Sequence, residues 1–203
     1  MRLQNPFSAI STTGIDSQVL TVLVRSEQYL TIREIHQLLP EQGSHQGVRL
    51  SAGRLVEQGM LLQRLTGRGY AFAFNGDHLL AAAVRQIAHA KSELISRMSH
   101  AISEWQIQPI AATLFGSAAR NEMSTDSDID VLIVVPDGVT DDVVEELVSD
   151  FAAHVTLWTG NDLRPLIYRD SDVRPAPIFE SIIADGIAIT GDHSWLRKRL
   201  RKG

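Results

Sequence analysis

Apolar positions recur at helical spacing through the first half of the chain. Ile15, Val19, Val22 and Leu23 mark one face of a helix over residues 15–27, with Asp16 or Ser17 placed to cap its start. Thr31 followed by Glu34 has capping-box spacing and predicts a second helix, IREIHQLL, which Pro40 ends. After the polar loop EQGSHQG, a third helix is expected from about Val48 to Gln58, with Gly59 terminating it. MLLQRL and YAFAFN then read as two strands around TGRG, and Tyr70, Phe72 and Phe74 alternate onto one face. From Asp77 to Trp105, a stripe of Leu80, Val84, Ile87, Leu94, Met98, Ala101 and Trp105 predicts one continuous helix, about 40 Å long. Such a helix would either join two domains and offer a dimer seam, or pack on its own chain.

After Pro109 the pattern changes. IAATLFGS reads as a strand running into a turn, and Asp128 to Val135 as a second strand. Thr140 is placed to cap a helix reaching about Ala153, followed by a third strand from His154 to Thr159. A helix near Pro175–Ala184 ends at Gly186, and Ile187–Thr190 forms a short strand. Alternating strands and helices predict an α+β or α/β domain. The expected organisation is residues 1–78, a connecting helix over 79–107, a second domain over 108–192, and a basic tail over 193–203. No internal repeat or low-complexity tract breaks this plan.

Composition narrows the chemistry. The chain of 203 residues is 44% hydrophobic, long enough for one large or two small cores. It has no cysteine, which excludes disulfides and thiolate metal sites. No apolar run approaches a membrane span, and the first residues lack the layout of a signal peptide, so a soluble cytoplasmic protein is expected. The net charge of −5 hides an asymmetry. Residues 1–110 carry 10 Lys/Arg and 8 Asp/Glu, whereas residues 111–203 carry 9 and 16. An acidic half needs a reason, and holding metal cations is a good one.

The acids that matter most lie in LFGSAARNEMSTDSDIDVLIVV, residues 114–135. Asp128 and Asp130 are two residues apart at the opening of a strand, so their side chains point the same way. Two adjacent carboxylates repel unless a cation lies between them, and carboxylate oxygens are the ligands Mg²⁺ prefers. Beyond them the strand is apolar on both faces, with Leu132 and Val134 on one and Ile129, Val131 and Ile133 on the other. That marks a central, buried strand and a rigid mount for the acids. Twelve residues before Asp128, Gly116 lets backbone approach a ligand, Ser117 adds a hydroxyl, and Arg120 adds a fixed positive charge.

This stretch resembles the hG[GS]…[DE]h[DE]h signature of the DNA polymerase β-like nucleotidyltransferase superfamily, especially its minimal members. Gly116, Ser117, Arg120, Glu122, Ser127, Asp128 and Asp130 stand at the family's intervals, and the resemblance covers roughly residues 109–190. It implies a nucleotidyltransferase fold with a mixed sheet. It further implies that Asp128 and Asp130 bind Mg²⁺ and the triphosphate of ATP or another NTP. Gly116, Ser117, Arg120 and Ser127 would contribute to nucleotide binding, and a nucleotidyl group would pass to an acceptor hydroxyl. Two departures stand out. Asn121 replaces a glycine after the arginine, and asparagine tolerates a left-handed backbone better than most residues. The family's third carboxylate lies on the next strand, where alignment places His154, so His154 is a candidate base or ligand, with Asp150 and Asp162 at either end.

The first half resembles winged helix-turn-helix regulators, broadly the MarR-like types, in LTIREIHQLLP and GVRLSAGRLVEQGMLLQRLTGRGYAFAFN. That resemblance implies double-stranded DNA as a partner. Ser44, His45, Gln46, Arg49, Ser51 and Arg54 would lie on the recognition helix, and Arg64 and Arg68 in the wing. Residues 44–68 hold four arginines and one acid, a modest footprint that a homodimer with two half-sites would reinforce. Three functions fit these readings. One is a DNA-binding regulator carrying a Mg²⁺-dependent transferase. Another is a regulator whose transferase fold only senses a nucleotide. The last is a toxin–antitoxin or small-molecule-modifying enzyme whose winged helix recruits substrate.

Overall fold

The computed structural model describes residues 1–9, 14–67, 69–192 and 194–201. The chain divides into two compact units, Arg2–Lys91 and Ser92–Gly203, the latter including Met1.

In the first unit, α1 (Asp16–Ser26) buries Val19, Val22 and Leu23, as its spacing predicts. No side chain caps its start; Ile15 occupies the N-cap, and the Ser17 hydroxyl instead donates to Gly14 O. β1 (Leu30–Thr31) leads into α2 (Ile32–Gln37), where Thr31 and Glu34 form the expected capping box. α3 (His45–Glu57) starts three residues earlier than the apolar pattern suggests, because the Ser44 hydroxyl accepts from Gly47 N at 3.0 Å and caps it there. β2 (Leu61–Thr66) and β3 (Gly69–Phe74) form a hairpin, and β1 adds to β3 to give a three-stranded sheet in the order β1-β3-β2. Val19, Leu23, Leu30, Ile35, Val48, Ala52 and Phe72 form the core.

The single helix expected over 79–107 is two. α4 (Ala81–Ala88) and α5 (Ala90–Ser103) are separated at His89. The Ala88 carbonyl accepts from Arg25 Nε at 3.0 Å and Nη2 at 2.8 Å. In an unbroken helix that carbonyl would take the amide four residues on. α4 buries Ala81, Val84 and Ala88, and α5 buries Leu94, Met98 and Ile102.

The second unit is built on a mixed four-stranded sheet in the order β6-β5-β4-β7, from β4 (Ala111–Phe115), β5 (Ile129–Val135), β6 (Leu163–Arg169) and β7 (Ile187–Gly191). β5 runs antiparallel to β4 and parallel to β6. Its position between them explains its two apolar faces: Ile129, Val131, Leu132, Ile133 and Val134 are all buried. α6 (Gly116–Arg120) follows β4 directly.

One expectation fails here. The strand expected at His154–Thr159 does not exist; α7 runs unbroken from Asp141 to Thr159. Its buried residues Val144, Val148, Phe151, Val155 and Thr159 keep helical spacing through the β-branched stretch, and Gly160, at φ +70°, ends it. The real neighbouring strand is β6, whose Pro165 argues against a strand until β6 is seen to lie at the sheet edge. Beyond it come α8 (Pro177–Asp185) and α9 (Trp195–Leu200). Within the expected basic tail, α9 packs on the sheet: Leu196 lies with Leu132, Val134, Phe179 and Ile182, and Arg199 Nε donates to Asp170 Oδ1 at 2.8 Å. Among the described residues, no helix is long and apolar enough to cross a membrane.

Candidate functional site

Phe115 pairs with Asp130 in the β4–β5 register, which sets the residue after Phe115 against the acid. That residue is Gly116, at φ +67°. A Cβ there would stand 2.3 Å from Asp130 Oδ2 and 3.2 Å from Cγ. Glycine is therefore required twice, for the left-handed backbone and for the space the carboxylate occupies. Ser117 is half-buried in the next position, and its carbonyl accepts from Glu122 N at 2.9 Å. Asn121 adopts φ +62°, the left-handed conformation its side chain tolerates. Arg120 is exposed and its Nε donates to Glu122 Oε2 at 2.8 Å, so it touches neither aspartate through that atom. Its charged form is favoured first by the Glu122 bond and then by the fields of Asp185 and Asp130.

Asp128 and Asp130 are both half-buried at the head of β5. Burial pushes the Asp130 carboxyl above the usual carboxylate range and Asp128 pushes it further, while Arg164 and Arg120 oppose the rise. Ser127 shapes the approach to the acids: its Oγ accepts from Ser124 N at 2.8 Å and lies 3.0 Å from Ser124 Oγ. Its carbonyl accepts from Nδ2 of the buried Asn161 at 2.9 Å. Two half-buried carboxylates beside the Gly116 backbone are a donor set suited to one Mg²⁺.

The structure brings Gly116, Asp128 and Asp130 together but leaves His154 elsewhere. His154 is exposed on α7, stacked on Trp158 with ring centroids 5.8 Å apart, because the segment that looked like a strand is helical. Asp150 is exposed on the same helix. Asp162 precedes β6, and its carbonyl accepts from Ile129 N at 2.8 Å. Among the described residues, no three His, Asp or Glu side chains gather as a metal-binding group. The residue facing the acids from β6 is Arg164, in register with Asp130, and its Nε lies 2.7 Å from Asp128 Oδ2. Arg164 was hidden in sequence because β6 was; an arginine in an apolar–x–apolar run after a helix was its one signal.

In the first unit, His45, Gln46, Arg49, Leu50, Gly53 and Arg54 are exposed along α3, and Ser44 is exposed at its start with its hydroxyl engaged in the cap. The His45 ring lies 5.9 Å from that of His36, and Arg54 pairs with Asp16 at 2.6 Å. Arg64 stacks over Tyr29, 4.3 Å from the ring centre. Ser51, expected on the exposed face, is fully buried with its hydroxyl unpaired. Arg68 lies outside the described residues.

Residues 95–178 match the family model described as a nucleotidyltransferase domain. No match was found among curated proteins. Among solved structures, the chain resembles a toxin–antitoxin crystallised with AMP-PNP at 15% identity, covering 53% of this chain and 82% of that one, with a TM-score of 0.41. It also resembles the tri-AMPylated Shewanella oneidensis HEPN toxin in complex with MNT antitoxin at 14% identity, covering 55% and 82%, with a TM-score of 0.39. A third is TrmBL2, an archaeal chromatin protein described as having a novel mode of DNA binding, at 13% identity, 82% and 70% coverage, and a TM-score of 0.32. Likeness at these scores carries no functional argument.

Proposed function

From the nucleotidyltransferase-domain match over residues 95–178, we propose that the second unit binds ATP or another NTP with Mg²⁺ and transfers its nucleotidyl group to an acceptor hydroxyl. The first unit, in this reading, is a winged helix-turn-helix that binds double-stranded DNA, making the protein a DNA-associated regulator. The observation that carries the nucleotide reading is the packing of Gly116 on the Asp130 carboxylate, within the matched segment.

Asp128 and Asp130 would hold Mg²⁺, which when bound supplies charge neutralisation to the phosphates. Gly116 keeps backbone, rather than a side chain, against the acids, so a phosphate can approach closely. The half-buried Ser117 hydroxyl would donate to a phosphate oxygen, and the exposed Arg120 would add positive charge. In transfer, the acceptor oxygen bonds to the α-phosphorus, the bond to the β-phosphate oxygen breaks, and pyrophosphate leaves. The hydroxyl proton would pass to solvent or to a group on the acceptor.

The test is transfer of label from α-labelled NTPs in cell extract. Label transfer that disappears with Asp128→Asn/Asp130→Asn supports a transferase. Nucleotide binding without transfer supports the second reading, a nucleotide sensor, which the arginine in ion pair with Asp128 favours.

For DNA, the support is the exposed run His45, Gln46, Arg49 and Leu50 at the start of α3, with Arg54 and Arg64 flanking it. Polar and basic side chains there suit base edges and phosphates, and Leu50 suits a thymine methyl. Arg49→Ala is expected to weaken binding to promoter DNA roughly tenfold at physiological salt, and to lower the salt slope by about one if it contacts a phosphate. Unchanged mobility shifts would remove α3 from the DNA reading.

A further inference from the structure

We propose that Arg164 makes this a one-cation site, its guanidinium standing where a third carboxylate would complete a two-cation site and taking a phosphate oxygen of the nucleotide in place of the second cation. The inference rests on the nucleotide reading above.

The placement follows from the sheet. β5 and β6 are parallel with Asp130 opposite Arg164, so the two residues are neighbours across strands about 4.8 Å apart and point to the same face. Asp128, two residues earlier, shares that face, and Arg164 Nε reaches its Oδ2 at 2.7 Å. The only charged side chain β6 itself offers beside the acids is thus a cation.

Charge then limits the metal count. Two carboxylates and one guanidinium leave a net single negative charge at the centre. One divalent cation turns that into a single positive charge, well suited to a triphosphate. A second divalent cation would have no further carboxylate to hold it and would lie close to a guanidinium, whereas the guanidinium can itself answer one of the charges on the triphosphate.

The Arg164 side chain is 73% exposed, against 25% for Asp128. It is therefore held by one ion pair and not by packing, and exposed pairs of this kind are weak. A phosphate oxygen is at least as good a partner for a guanidinium, whose fixed fork of donors matches phosphate geometry. When Asp128 turns to a cation, Arg164 exchanges the carboxylate for the phosphate.

The experiment counts Mn²⁺ bound to the full chain by electron paramagnetic resonance, saturated one to one with an α,β-methylene NTP analogue that cannot be transferred. The wild type is expected to bind one Mn²⁺ per chain, Arg164→Lys also one, and Arg164→Asp two. Arg164→Ala is expected to weaken the analogue roughly tenfold or more, with Arg164→Lys recovering most of the loss. Because the side chain is exposed, Arg164→Lys and Arg164→Ala should melt like the wild type, and Arg164→Asp, which sets a third carboxylate beside two, should do so once Mn²⁺ is present, which thermal scans check. Two Mn²⁺ in the wild type, or one in Arg164→Asp, with the analogue still bound, would overturn the role of Arg164 alone. No binding of the analogue by the wild type would overturn the nucleotide reading and this inference with it.

Discussion

Gly116 is the residue whose replacement the geometry judges most directly. A methyl group there meets the Asp130 carboxylate at 2.3 Å, in a backbone conformation at φ +67° that L-residues rarely adopt. Gly116→Ala is expected to cost about 1–2 kcal/mol of stability from the backbone. It should also weaken Mg²⁺–NTP binding by roughly tenfold or more, because the carboxylate has to move aside. Thermal melts and calorimetry separate the two effects, and binding that survives intact would mean Asp130 is not a ligand. Ser51 is the opposite case. Its hydroxyl is unpaired on the buried face of α3, so Ser51→Ala should leave stability unchanged or raise it by up to about 1 kcal/mol, measured by denaturant titration.

At the scale of elements, α7 shows how a local pattern misleads. VTLWT has strand-like composition, yet Val155 and Thr159 continue the buried stripe begun at Val144, and the helix carries on to Gly160. His154 thereby moves from a strand facing the acids to an exposed helix surface, so His154→Ala should change nucleotide affinity by less than about twofold. The capping box of α2 supports a pH prediction. Bonds from the Thr31 amide and hydroxyl lower the Glu34 carboxyl below its ordinary value of 4.5. A carboxylate with a depressed folded-state pKa contributes stability that is present above its unfolded value and lost as pH falls through the folded one. Glu34→Gln should therefore melt below the wild type at neutral pH, and the gap should close as pH drops below about 4.5. A gap that stays constant from pH 7 to pH 3 would rule out the charged cap.

Across the whole molecule, charge follows the two units. Residues 2–91 hold nine Lys/Arg and six Asp/Glu, whereas residues 92–203 hold ten and eighteen. The acidic unit is the one proposed to take a cation and a nucleotide. A ligand that binds only the folded form stabilises it, by about 2.7 kcal/mol at a hundred times its dissociation constant. With Mg²⁺ and NTP at that level, amide exchange should slow within β4, α6 and β5, and Asp128→Asn/Asp130→Asn should abolish the slowing. Protection that persists in the double variant would place the ligand elsewhere.

Much of the candidate site was legible in sequence because its parts are local. Gly116 directly follows β4, Asp128 and Asp130 flank the first residue of β5, and the two-residue spacing of an extended chain sets both carboxylates on one face. The capping box and the left-handed Asn121 were legible for the same reason, since each depends on residues a few positions apart. What faces the acids was not, because it depends on strand pairing. Pro165 disguised β6, and the helical continuation of α7 displaced the segment that seemed to take its place. The break at His89 likewise needed Arg25, sixty-three positions from Ala88, to claim a carbonyl that the local pattern assigned to the helix. Chain-local spacing determined that two carboxylates and a glycine would meet; only parallel pairing of β5 with β6 decided that an arginine, and not a third acid, stands beside them.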